Sequence, residues 1–371
     1  MDFEFTAEQV AIRDTIRELV QDRVAPRAAE IDAKSEYPKD IEKLFAENGI
    51  LGIPFPEEYG GISGSSVTIC MGIEEIAKAC ASSSLILAVQ ALGSYPILVA
   101  GSEEQKKRLC PPLASGEKVA AYALSEPGSG SDAAAMKTRA KRYGNEYVLT
   151  GTKVFITNIG RAGLYIVFAR TGADERAAGV SAFIVPADSP GLRVGQVFTK
   201  MGLNGSPTGE LVLEDVVVPA GNRLAAEGQG FTVAMRALDS GRIGISGQAL
   251  GIAQAAVDQA KALLAVRDRQ QGDDFLLADL ATRVESARLL AYEAAWLCSR
   301  GQPFTRKASM AKLHSTDTAM AVALDALQLA GEEGTISGSP FERHMRDAKA
   351  LQIYEGSNQV QRHVIARELL R

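Results

Sequence analysis

The sequence predicts an α+β chain in three zones: an N-terminal all-α zone, a middle antiparallel β-barrel or sandwich, and a C-terminal antiparallel helical bundle. Three observations carry that reading. Apolar residues recur at helical spacing in both outer parts of the chain. Short runs rich in β-branched and aromatic residues crowd the middle, separated by Gly, Asn, Asp and Pro. No long helical pattern interrupts those runs, which disfavours a Rossmann-type array of alternating strands and helices. A length of 371 residues allows two or three lobes and a sizeable core without disulfides or metals.

The first zone, 1–115, reads helical. Thr6 and Gln9 have capping-box spacing, and Val10, Ile16, Leu19 and Val20 follow on one face. Ser102 and Gln105 repeat the spacing before a short helix. Pro54-Phe55-Pro56, Gly60-Gly61 and Pro111-Pro112 punctuate the zone. The second zone, 116–227, holds strand-like runs from Val119 to Leu124, Tyr147 to Thr150, Val154 to Thr157, Tyr165 to Ala169, Val180 to Val185 and Leu211 to Val218. Lys137, Arg139 and Lys141 alternate along a further strand and read as a solvated face. The third zone, 228–371, carries Leu277, Leu280, Val284, Ala287, Leu290, Ala294 and Leu297 at spacings of three and four. Two more helical patterns cover Phe304 to Ala330 and Asn358 to Leu370.

Composition narrows the function. The 40 Lys+Arg against 45 Asp+Glu give a net charge of −5, so no basic excess exists for nucleic-acid binding. No run approaches the roughly 18 apolar residues of a membrane span; the best candidate, Leu85 to Val89, is broken by Gln90. Asp2, Glu4 and Glu8 make the N-terminus acidic, unlike a signal or transit peptide. Cys70, Cys80, Cys110 and Cys298 are far apart and read as small buried hydrophobes. Reduced thiols fit a cytoplasmic protein. His314, His344 and His363 share no metal-binding motif, so no metal site is expected.

Three segments can carry chemistry. Ser125-Glu126-Pro127-Gly128-Ser129-Gly130-Ser131-Asp132 follows a strand directly. Its glycines admit a bulky ligand, and its hydroxyls and N–H groups can nest a phosphate. It is neither a Walker loop nor a nucleophile elbow, and alone it reads equally as a plain turn. Glu355-Gly356 precedes the last helix. A glutamate at such a junction, aimed into a cavity, would have a raised pKa and suit proton abstraction; read in isolation it is a solvated helix-end carboxylate. Arg242, in Asp239-Ser240-Gly241-Arg242, can hold a phosphate or carbonyl, and on local grounds equally a surface ion pair.

Together these segments resemble the acyl-CoA dehydrogenases almost end to end. The resemblance rests on Tyr122-Ala123-Leu124-Ser125-Glu126-Pro127 running to Ser131-Asp132, and on Gly151-Thr152-Lys153-Val154-Phe155-Ile156-Thr157-Asn158. It rests also on Asp239 to Arg242 with Gln248-Ala249-Leu250-Gly251, and on Arg346-Asp347-Ala348-Lys349 followed by Ile353 to Asn358 and Gln361-Arg362. The four motifs stand in the family's order and spacing. The resemblance implies a C-terminal four-helix bundle, FAD between the β domain and the bundle, and a homodimer or homotetramer. It implies α,β-desaturation of an acyl-CoA, with electrons leaving to an electron-transfer flavoprotein. Glu355 would take the α-proton while a β-hydride moves to flavin N5. The thioester carbonyl would be polarised by the Glu355 N–H and a flavin ribityl hydroxyl.

Residue by residue, the resemblance assigns Tyr122, Leu124, Ser125, Gly130, Ser131, Phe155, Thr157, Arg267, Gln328, Gly331, Ser357 and Gln359 to FAD. Ser131, Leu238, Asp239, Arg242 and Gly356 fall to the substrate. Two departures stand out. About seven residues are missing after Arg267, close to two helical turns. Glu332 replaces a glycine in Gln328-Leu329-Ala330-Gly331-Glu332-Glu333-Gly334, where a carboxylate facing inward would repel a pyrophosphate. Both predict a weaker subunit-borne half of the cofactor site and a less secure tetramer. Two alternatives follow: a non-redox acyl-CoA lyase or desulfinase on this scaffold, and a non-catalytic acyl-CoA-binding relative. No Lys or Arg lies between Lys78 and Lys106, the expected floor of the acyl cavity, so an uncharged acyl tail is expected.

Overall fold

Helix α1 (Ala7–Arg23) starts at the expected capping box: the Gln9 N–H donates to the Thr6 hydroxyl at 3.2 Å, and the Thr6 N–H donates to the Gln9 side chain at 3.0 Å. The chain is described here from a computed structural model covering residues 4–172, 176–268 and 270–371; Asp2 and Arg269 lie outside those residues. Five further helices follow: α2 (Ala28–Lys34), α3 (Lys39–Glu47), α4 (Ser66–Ala79), α5 (Ala81–Ala100) and α6 (Glu103–Ala114). Ser102 and Gln105 form the second capping box, at the start of α6. Cys80, in extended conformation, is the single residue separating α4 from α5.

Helix α5 corrects one sequence expectation. It and a later helix, Gly230–Val266, are long and apolar enough to cross a membrane by length and composition. Most of each is packed inside the protein. Gln90 does not break α5, because its side chain is fully buried and bonded. Its amide donates to the carbonyls of Leu113 at 2.7 Å and Lys118 at 3.2 Å, and its oxygen accepts from the Ala120 N–H at 2.9 Å.

The middle of the chain forms one mixed sheet. Its strands are β1 (Ala120–Ala123), β2 (Arg139–Tyr143), β3 (Glu146–Thr157), β4 (Leu164–Arg170), β5 (Val180–Pro186), β6 (Leu192–Val197), β7 (Thr208–Pro219) and β8 (Arg223–Leu224). The order is β6-β7-β3-β2-β4-β5-β8, with β1 beside β4. All pairings are antiparallel except those of β1 and β2 with β4, which are parallel. The runs from Tyr147 and from Val154 are one strand, β3, bent by bulges against β7 at Leu149/Gly151 and Lys153/Ile156. Strand β6 escapes sequence reading because it is short, largely exposed and interrupted by Gly195. Tyr147, Phe183, Leu213 and their neighbours fill the sheet's interior, while Ile166, Phe168 and Ile184 pack with residues of α5, α6 and the first bundle helix.

The last part is helical: α7 (Gly230–Val266), α8 (Gln271–Ser299), α9 (Thr305–Ala330), α10 (Pro340–Leu351) and α11 (Asn358–Leu369). Helix α7 packs against α8 and α9 on one side and against α4 and α5 on the other. Close approach to α4 depends on small residues. A Cβ at Gly247 would stand 2.5 Å from the Cys70 carbonyl oxygen, and one at Gly251 would stand 2.4 Å from that of Glu74. That contact shapes a cavity between the N-terminal helices and the bundle.

Candidate active site

A cavity of about 180 Å³ lies between α4, α5 and α7. Its walls include Ile69, Ala88, Leu92 and Tyr95, and Glu355 stands at one end beside Gly241. Glu355 belongs to the turn joining α10 to α11 and has left-handed backbone, φ 50°, which is unusual for a residue with a side chain. The residue as a whole is half-buried, but its Oε2 is sealed from solvent and has no hydrogen-bond partner. That oxygen lies over the bare backbone of Gly241, where a Cβ would come within 2.5 Å of it. Burial pushes the Glu355 carboxyl up to about 7, opposed by the positive charges of Lys312 and Arg242. Its backbone N–H donates to no group among the described residues.

The turn is held from the bundle. Lys312 on α9, fully buried, donates to the Gly356 carbonyl at 2.8 Å and to Asn358 Oδ1 at 3.0 Å. Gln361 Nε2 donates to the same carbonyl at 2.9 Å. Gly356, at φ 90°, has no room for a Cβ, which would meet that Nε2 at 2.6 Å. Ser357 caps α11 through the Val360 N–H, while Gln359 is exposed. Tyr354 donates to Gln248 Oε1 on α7.

Lys153, fully buried on β3, pairs with Glu126 at 2.8 Å and donates to the Leu124 carbonyl at 3.0 Å. Glu126 also accepts from the N–H groups of Lys137 at 2.6 Å and Thr138 at 2.9 Å. Burial pulls the Lys153 ammonium down to about 8. Burial would raise Glu126, but Lys153 and the hydrogen bonds outweigh it and leave its carboxyl below the usual range. This pair explains why two separate motifs meet: it locks the Ser125 loop to the bulged part of β3. Beside it the Val154 N–H donates to the Ser125 carbonyl at 2.9 Å. Phe155, at φ 59°, is 69 % exposed, with Phe198 tilted against it at 5.2 Å. The side chains of Ser125 and Thr157, both half-buried, hydrogen-bond to no described residue. Gly130 and Ser131 are exposed. Tyr122 donates to the Ala234 carbonyl at 3.0 Å.

On α7, Asp239 takes Arg242 Nη1 at 2.5 Å and the Thr305 hydroxyl at 2.6 Å. Arg242 also reaches Ser309 at 3.3 Å, and its buried Nε has no partner. The surface-pair reading of Arg242 is thereby corrected: it is 5 % exposed, and burial lowers its pKa against the pull of Asp239 and Glu355. Leu238 is half-buried one residue before Asp239.

Arg267, Gln328 and Gly331 do not join this cavity within one chain. Gln328 lies 16 residues beyond Lys312 along α9, roughly 24 Å at helical rise. It lines a separate hollow with Leu324, Gly331 and Glu332. Arg267 bonds the Leu329 carbonyl and Asp273, each at 3.0 Å. Sequence reasoning missed Lys312, and quoted Gly241 and Gln361 as motif positions without giving them a role. For Lys312 a signal exists: it sits on the stripe of Ala308, Ala311, Ser315 and Ala319 that faces the core.

Comparison with known proteins places the geometry. Three family models match: the N-terminal domain of acyl-CoA dehydrogenase over residues 6–117, its middle domain over 121–216 and its C-terminal domain over 228–370. A short-chain-specific acyl-CoA dehydrogenase of Clostridium acetobutylicum is 42 % identical over 379 aligned positions, covering 100 % of both chains. Butyryl-CoA dehydrogenase of Megasphaera elsdenii superposes with a TM-score of 0.98 at 40 % identity, again over 100 % of both chains. A chain solved in work on the electron-transferring flavoprotein of Acidaminococcus fermentans and flavin-based electron bifurcation has a TM-score of 0.98, 41 % identity and 100 % coverage of both.

Proposed function

The chain belongs to the acyl-CoA dehydrogenases, FAD-dependent oxidoreductases, and from that premise we propose that Glu355 is the base that removes the α-proton of a neutral acyl-CoA. One observation carries the reading: a carboxylate oxygen, buried and without a partner, at the head of an apolar cavity. A proton acceptor raised to about 7 is better matched to a weakly acidic C–H than an ordinary carboxylate.

The residues present fit FAD. Phe155 offers an exposed aromatic face held rigidly by a bulge, and the free hydroxyls of Ser125 and Thr157 lie on the neighbouring backbone. At the start of α11 the Val360 N–H is taken by Ser357 and the Asn358 N–H by the Gln352 carbonyl, which leaves the Gln359 N–H for a phosphate oxygen. When bound, FAD supplies the acceptor for the β-hydride. The chain's own residues do the rest. The left-handed turn aims the Glu355 carboxylate at the α-carbon. The unused Glu355 N–H is available to the thioester oxygen, where charge builds as the proton leaves. Apolar walls exclude water, and Arg242 with Asp239 fixes the approach of the CoA moiety. Exposed Gly130 is a contact for FAD, and exposed Ser131 one for either ligand.

The cavity lining contains no Lys or Arg, so a carboxylate-ended acyl chain would be buried without a cation. The reading is therefore a short to medium aliphatic acyl-CoA. We further propose an electron-transfer flavoprotein as electron acceptor, supported by the likeness to the Acidaminococcus chain. A homodimer or homotetramer is supported by exposed Leu324 in the hollow, by exposed Ile336 directly after its lining residue Thr335, and by exposed Phe275 in the first turns of α8. Domain boundaries near 115 and 227 and a cytoplasmic setting, in keeping with four unpaired thiols, complete the proposal. The test is anaerobic addition of butyryl-, hexanoyl-, octanoyl- and glutaryl-CoA to the purified flavoprotein. Flavin bleaching by the neutral acyl-CoAs is expected. A flavin that no acyl-CoA bleaches would favour the lyase or desulfinase reading, a protein without flavin the non-catalytic one. Fastest bleaching by glutaryl-CoA would overturn the neutral tail.

A further inference from the structure

We propose that Lys312 is the positioning residue of the site: from inside the bundle it pins the turn that aims Glu355 and supplies a charge that favours its ionised carboxylate. The inference rests on Glu355 being the base. Three features carry it. Lys312 Nζ is fully buried, yet its hydrogen-bonded partners, the Gly356 carbonyl and Asn358 Oδ1, are both neutral oxygens. A buried ammonium without a bonded carboxylate is unfavourable unless a nearby negative charge compensates it. The Glu355 carboxylate interacts with it electrostatically without being bonded to it, and Oε2 keeps no hydrogen-bond partner.

The second feature is mechanical. Glu355 and Gly356 both lie in the left-handed region, which costs free energy at Glu355 and persists only where the surroundings enforce it. Lys312 and Gln361 grip the carbonyl that follows Glu355 directly. The third feature is the support behind Lys312. Asn358 is fixed by Thr316 and Asp317, at 2.9 and 2.7 Å, and Asp317 also takes Gln352 at 2.6 Å. Both ends of the turn are thus tied to one face of α9.

The charged and titratable groups around the pair come from every neighbouring element. Arg242 faces it from α7, Tyr122 from β1, Tyr354 from the turn itself and Asp317 from α9. Burial lowers the Lys312 ammonium to about 7, against the pull of Glu355, so the two groups titrate as a pair near neutrality. The cation favours the ionised carboxylate. Without it, ionisation of Glu355 needs a higher pH.

The experiment uses the holoprotein with ¹³C-carboxyl-labelled glutamate, the Glu355 signal being identified by its loss in Glu355→Gln. Wild type, Lys312→Met and Lys312→Arg are titrated, and the pH profile of flavin reduction by butyryl-CoA is recorded alongside. Lys312→Met is expected to move the Glu355 titration and the acidic limb of the profile together, by ~1 pH unit or more toward alkali. At pH 7 its reduction rate should fall about tenfold or more, and Lys312→Arg should restore most of it. If Lys312→Met does not accumulate as folded holoprotein, Lys312→Gln, which keeps a donor but no charge, is read in the same way. An unmoved Glu355 titration, or a rate loss equal at every pH and not restored by Arg, overturns the proposal. The titration needs no turnover, so a wild type that no acyl-CoA bleaches would sink the functional reading while still answering for Lys312.

Discussion

Lys153 in the sheet and Lys312 in the bundle are both sealed from solvent, and they are satisfied in opposite ways. Lys153 binds a carboxylate directly, and that carboxylate, Glu126, is further held by two backbone N–H groups. Lys312 binds two neutral oxygens, and the carboxylate that balances it keeps one oxygen bare. A closed ion pair fixes a backbone and does nothing else. An open pair leaves a reactive oxygen beside a charge that controls its protonation. The same residue type thus marks a strut in one domain and a site in the other, and the distinction lies in where the negative charge ends.

Lys153→Met tests the closed pair and should have the largest effect. It strands an ionised Glu126 in the interior, and breaking such a pair costs about 3–5 kcal/mol. Urea unfolding of the holoprotein should show that loss, and Lys312→Met a smaller one, because Glu355 can take up a proton near neutral pH. Equal losses would erase the distinction. Next comes Gly241→Ala, whose Cβ would stand 2.5 Å from Glu355 Oε2 and push the carboxylate out of line. Displacement on the order of 1 Å costs up to about 10²-fold in rate; flavin reduction should slow at least tenfold while flavin stays bound. Unchanged reduction would mean that Glu355 has room the structure denies it.

The open pair also has a pH signature. Glu355 is raised above its unfolded value, so the stability it contributes is present at low pH and lost as pH rises to about 7. Lys312 is lowered, so its contribution is present above its unfolded value and lost as pH falls toward about 7. In Lys312→Met the first loss extends above pH 7 and the second gain disappears. The stability deficit of that variant should therefore grow from pH 7 to pH 9, each of the two groups adding up to about 1.4 kcal/mol per pH unit. A deficit constant with pH would show that the two groups do not titrate near neutrality. The smallest effect belongs to Glu332→Gly, at the exposed hollow with Gln328 and Gly331. Removing one exposed charge should slow flavin loss on dilution or gel filtration only a few-fold, in line with less than about 1 kcal/mol for a solvated charge. No change would mean that Glu332 faces away from the cofactor.

Much of this was legible in the residues themselves. Thr6 with Gln9 and Ser102 with Gln105 announce two helix starts because capping is local chemistry. Glu355 is legible only through the resemblance, because Glu-Gly before a helix, read alone, is an ordinary solvated carboxylate. The partners of Glu355 were hidden for a physical reason. Gly241 matters only because α7 brings it under a residue more than a hundred positions away, and the stripe that marks Lys312 as core-facing does not name its partners until α9 is packed. The break expected at Gln90 failed likewise, since its three hydrogen bonds come from α6 and from the segment leading into β1. Local motifs report backbone needs; contacts between zones appear only in the fold.

The most direct measurement is the rate of anaerobic flavin reduction by butyryl-CoA in Glu355→Gln compared with wild type, with bound flavin quantified in both. The amide keeps the shape of the side chain but cannot take a proton. Flavin content should be unchanged and the rate should fall on the order of 10²-fold or more. Reduction at the full wild-type rate would contradict the assignment and place the base on another residue.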